Sequence, residues 1–106
     1  MHEISYAGGT FVTSDEVAEI LLEYAAALAN ADRAASVEVP AAGLPTGEES
    51  MQILVGPASQ LMSAPIDSDE SVTGAASFVD EMRKRITDLE RGWTRPATGS
   101  AIDWDL

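Results

Sequence analysis

The stretch VTGAASFVDEMRKRITDLERGW, residues 72–93, decides how the rest of the chain is read. Val72, Ala75, Val79, Met82, Ile86, Leu89 and Trp93 recur at steps of three and four, the spacing of one face of an α-helix. Asp80, Glu81, Arg83, Lys84, Arg85, Asp88, Glu90 and Arg91 fall on the other side and are expected to face water. Asp80 with Lys84 and Glu81 with Arg85 stand at i,i+4 spacing and predict ion pairs along that outer face. Gly92, following Arg91, predicts the helix end. A helix this long, apolar along one side, is a platform on which shorter segments pack.

Working backwards, Asp67-Ser68-Asp69-Glu70-Ser71 precedes this helix. The alternating acids resemble the start of a calcium loop, but Val72 stands where that loop needs glycine and Phe78 where it needs a bidentate glutamate. Acids ahead of a helix more simply predict capping and a match to the helix dipole. Residues 51–55 (MQILV) and 60–64 (QLMSA) bracket Gly56-Pro57-Ala58-Ser59, the pattern of a hairpin with a four-residue loop. In that register Leu54 faces Leu61 and Ile53 faces Met62. Met51, Ile53, Val55, Met62 and Ala64 form the predicted core side, leaving one leucine pair on the outer face. Ser36-Val37-Glu38-Val39 alternates as a half-buried strand up to Pro40, and residues 41–49 are a loop.

At the N-terminus, residues 3–7 and 10–13 flank Gly8-Gly9, a signal for a two-residue turn that places Tyr6 opposite Phe11, with Ile4 on the same face. The glycine pair lacks the further glycine and lysine of a phosphate-binding loop. Thr13-Ser14-Asp15-Glu16 has the form of a capping box with Thr13 as N-cap, opening a helix that ends near residues 30–32. Val17, Ile20, Leu21, Tyr24 and Leu28 share one face of it.

Composition narrows the function. The 106 residues suit one domain with one core, and there is no cysteine, hence no disulfide, thiolate metal site or cysteine nucleophile. No apolar run approaches the roughly 20 residues that cross a bilayer, and Met1-His2-Glu3 lacks the basic start of a signal peptide. The net charge is −12, with every basic residue except Arg33 at position 83 or beyond. So acidic a body repels nucleic-acid phosphates. The single histidine, His2, sits at the chain terminus, and no Ser-His pair or His cluster is placed for catalysis or metal binding.

These observations predict one α+β domain over residues 1–93 and a C-terminal tail over 94–106. The domain is an antiparallel sheet of four or five strands with two packed helices, ordered β-β-α-β-β-β-α. They predict a small, acidic, non-catalytic binding or regulatory protein of the cytoplasm, without cofactor or metal and without direct contact to nucleic acid or membrane. It is expected to form a homodimer and is open to other protein partners. The surplus apolar surface lies in two places, the outer pair Leu54 and Leu61, and the end marked by Leu89, Trp93 and Trp104. There a helix of about 30 Å overhangs strands of about 17–20 Å. Two alternatives stand beside this reading: an acidic mimic of nucleic acid that fills the basic groove of a DNA-binding protein, and a small enzyme that uses paired carboxylates.

Overall fold

Among the described residues, seven elements follow one another in the predicted order: β1 (His2–Tyr6), β2 (Gly9–Thr13), α1 (Asp15–Asn30), β3 (Ala35–Pro40), β4 (Ser50–Val55), β5 (Met62–Pro65) and α2 (Ala75–Thr94). The computed structural model describes residues 1–7, 9–57 and 60–94, the last three by backbone alone. Two helices with antiparallel strands make the fold α+β.

The strands form two sheets where one was expected. One has the order β2-β1-β5 and the other pairs β3 with β4. The predicted β4–β5 hairpin is absent. β4 pairs instead with β3, setting Val37 opposite Ile53 and Val39 opposite Met51 on the core side. On the solvent side of that pair, Ser50 Oγ donates to Glu38 Oε2 at 3.0 Å. β5 crosses to β1, with Glu3 opposite Ala64 and Ser5 opposite Met62. Met62 and Ala64 are therefore exposed, contrary to expectation, while Ile53 and Val55 are buried as predicted.

The sheets meet at one corner. Val12 bridges Ala42, whose N–H donates to the Val12 carbonyl at 2.8 Å. Beside it the buried Thr13 hydroxyl donates to the Pro40 carbonyl at 2.6 Å. This bond accounts for a one-residue slip in the expected helix start. Thr13 ends β2, and Ser14 is the N-cap, its hydroxyl accepting from the Val17 N–H at 3.2 Å. The far end of α1 closes as a Schellman motif. Asp32 adopts φ +55°, Asp32 N–H donates to the Ala29 carbonyl, and Arg33 N–H donates to that of Leu28.

The first hairpin also differs in register. Tyr6 pairs with Gly9 and Ile4 with Phe11, so Gly9 is a strand residue without positive φ. Because the shift is even, Ile4, Tyr6 and Phe11 still share the inner face. The Tyr6 and Phe11 rings meet edge-on at 5.8 Å, and a Cβ on Gly9 would come 3.3 Å from the Tyr6 hydroxyl. The aromatic ring lies over Gly9, and a Cβ there would need it to give by only a few tenths of an ångström.

Both helices cover the core. The predicted face of α1 is buried throughout. α2 begins only after Gly74, whose φ of +83° ends the irregular stretch that contains Val72. No acid lies in its first turn, and Gly92 falls within the helix, so neither the acidic capping nor the glycine stop is found. Phe78 and Met82 are buried, while Val79, Ile86 and Leu89 are half-buried against the same core. Along the seam, Ala75 to Arg83 lie beside Glu16 to Ile20, and the Arg85 guanidinium lies 5.9 Å over the Tyr24 ring. The helices thus run in the same direction. Arg85 also closes the predicted pair with Glu81 at 3.2 Å, whereas no ion pair joins Asp80 to Lys84.

Candidate binding cleft

Where β4 runs out, the chain turns at Gly56-Pro57 and returns through Gln60-Leu61 into β5. A Cβ placed on Gly56 would come 3.1 Å from that of Ala34, so glycine lets the end of β4 sit tightly against the start of β3. This turn and the Ser5–Ala7 end of β1 enclose an open cleft of about 650 Å³. Its walls are Ile53, Leu54, Pro57, Leu61, Met62 and Tyr6, with Ser5 and Gln60 supplying polar atoms, and among the described residues no charged side chain lines it. Leu54 and Met62 are each 71% exposed. β4 and β5 both border the cleft, and each pairs with only one strand among the described residues, leaving each strand one open edge. The Tyr6 hydroxyl reaches inward to Met51 Sδ at 3.6 Å, fixing the ring as part of the cleft floor. The arrangement suits an apolar, extended ligand, and among the described residues no nucleophile stands paired with a base there.

The expected contact residues separate. Leu54 and Leu61 converge on the cleft, although not as a cross-strand pair, since Leu54 lies opposite Ser36. Leu89 is half-buried on α2, away from the cleft walls. The Trp93 side chain and the whole of Trp104 lie outside the described residues. The expected hairpin places Met62 in the core, and its exposure follows from the pairing of β5 with β1.

Titratable groups gather elsewhere. Asp15 Oδ1 accepts from the Met1 amine at 2.9 Å and contacts His2 Nδ1 at 2.6 Å. Hydrogen bonds from the amine, then from His2, hold the exposed Asp15 carboxyl below the ordinary aspartate value. His2 is thus fixed against the start of α1. Along the helix seam, Arg83 stands among Glu16, Glu19 and Asp80, so a base interrupts the acids on that face. Glu48, Glu49, Asp69 and Glu70 border a shallow depression in which the Glu70 carboxylate lies over Gly43, at φ +68°. Among the described residues no three His, Cys, Asp or Glu side chains are grouped to hold a metal ion, and no helix is long and apolar enough to cross a membrane.

No family model matches the chain, and neither curated proteins nor solved structures give a match.

Proposed function

We propose that this protein is a small non-catalytic binding module, that the cleft between β4 and β5 is its binding surface, and that a second copy is one of its ligands. One observation carries the reading: Leu54 and Met62 stand exposed at the mouth of an uncharged cleft on a chain of net charge −12. Scattered apolar side chains on a surface need no explanation, but a grouped set around a concavity marks a contact. Burying a leucine-sized side chain contributes about 1.5–3 kcal/mol, so two such anchors give a weak to moderate homodimer. Two bodies of like charge repel, so the dimer tightens with salt as screening grows. The same acidity argues against direct contact with nucleic acid. A cytoplasmic setting is part of the proposal, since a chain without cysteine needs no oxidising compartment to fold.

Sedimentation from micromolar to millimolar concentration tests this on the full chain and on Leu54→Asp. Self-association that Leu54→Asp weakens at least about tenfold is the expected result, equal to about 1.4 kcal/mol. A monomer throughout the range, or a dimer indifferent to the substitution, would remove self-association through the cleft.

A further inference from the structure

We propose that the cleft receives an extended basic peptide segment of a partner protein, added as a strand along the open edge of β4 with apolar side chains inward and cations outward. The inference rests on the cleft as a binding surface and names a partner other than a second copy.

Three observations on the described residues support this assignment. The first is the edge. β4 has six residues, pairs only with β3, and carries no charge and no proline. Edge strands that stay single are ordinarily blunted by such residues or by shortness. β5, the other strand at the cleft, has four residues and ends on Pro65. β4 therefore presents about 20 Å of unprotected backbone donors and acceptors, which an added strand satisfies and a small apolar molecule does not. The second is the lining. Residues 50–66 are the longest uncharged run of the sequence, and among the described residues they hold the exposed large apolar side chains, Leu54, Met62 and Ile66. Ile53 and Tyr6 form the inner side of the cleft, so a strand beside β4 sends alternate side chains onto them and the others outward on the Leu54 face. The third is charge. Glu38, opposite Gln52, shares that outer face, and Glu48, Glu49, Asp67 and Asp69 bound the uncharged run in sequence. All five acids are exposed. Arg33, the one cation before residue 83, follows Asp32 and leaves that corner neutral. The complement is an alternating apolar and cationic segment: lysine or arginine stems lie along Leu54 and Met62 while their heads reach the carboxylates. The net charge of −12 steers such a segment in and repels a like-charged copy.

Fluorescence anisotropy on the full chain tests the proposal with a labelled, acetylated and amidated peptide, Lys-Ile-Lys-Val-Lys-Ile-Lys. Binding at micromolar concentration is expected, weakened at least about fivefold between about 50 and about 500 mM salt. The same composition ordered Lys-Lys-Ile-Val-Ile-Lys-Lys, and a peptide with serine for the valine, should each bind at least about tenfold more weakly, since the first loses alternation and the second an inward side chain. Leu54→Ser should weaken binding about fivefold and Glu38→Gln about threefold. Both side chains are exposed, so neither substitution disturbs folding. Amide exchange along β4 should slow when the peptide is added. No binding, equal binding of the two orderings, or unchanged β4 exchange would overturn the proposal. A chain that stays monomeric yet binds the peptide in this way would end self-association and leave this proposal standing. A Leu54-dependent dimer that ignores the peptide would do the reverse.

Discussion

Thr13→Val isolates the hydroxyl that joins the two sheets. Thr13 is fully buried, its Oγ1 donates to the Pro40 carbonyl at 2.6 Å, and Pro40, Ala41 and Ala42 around the acceptor are buried as well. Valine keeps the shape and the second γ-branch, so no cavity forms and the change is confined to the hydrogen bond. The carbonyl is left without this donor in a dry site, where such a loss costs about 1–3 kcal/mol. We take about 2 kcal/mol, which lowers the melting temperature by about 10 °C in a chain of this size. Thr13→Ser is the control: it keeps the hydroxyl and loses one methyl, for about 1 kcal/mol. Urea unfolding monitored by circular dichroism gives both values, with unchanged m-values showing that the unfolded state is unaltered. A valine variant no less stable than the serine variant would show that packing, and not the hydrogen bond, holds this corner.

Other expectations follow from burial, backbone and charge. Met82→Ala should cost roughly 2–5 kcal/mol, because Met82 is 2% exposed, and half-buried Ile86→Ala should cost less than half as much in the same urea titration. Gly43→Ala meets both a φ of +68° and the Glu70 carboxylate at 3.0 Å, so it should lose about 1–2 kcal/mol. Gly9→Ala needs only a small shift of the Tyr6 ring and should leave the melting temperature nearly unchanged. Asp15 is held below its ordinary value when folded, so its contribution is present above about pH 4 and disappears as pH falls through the lower folded value. Melting temperatures of Asp15→Asn and the parent should therefore converge on acidification below about pH 4; a constant gap would contradict the assigned hydrogen bonds.

Local chemistry was legible in the sequence and pairing was not. All five residues of the expected α1 face are buried, with Ala18 added beside them, because helical period depends only on neighbours within the same segment. Its start slipped by one because Thr13, Ser14 and Asp15 are all good caps, and the choice was made by Pro40, a residue distant in sequence. Alternation in residues 51–55 correctly separated Ile53 and Val55 from Leu54, yet alternation carries no record of which strand lies alongside. The short Gly-Pro turn favoured a neighbour, whereas β4 took β3 across a longer loop and β5 took β1 across most of the chain. Leu54 and Leu61 reached one site for that different reason. Phe78 lay one position outside the narrow stripe drawn from Ala75, Val79 and Met82, although widening that stripe by one residue would have included it.

The central place of β1 has a consequence for when the protein acquires its structure. Ile4 is fully buried between Phe11, seven positions away, and Ser63, on the last strand to be made, more than halfway along the chain. The first strand made is therefore the last to be enclosed. During elongation the β1–β2 hairpin and α1 are available early, but one side of β1 stays open until β5 emerges. Closing a loop of this length carries an entropic cost that rises only slowly with its length, so the delay is set by translation more than by diffusion. A chain arrested before residue 62 would hold an unpaired strand edge beside Ile4, and would be the species in need of a chaperone.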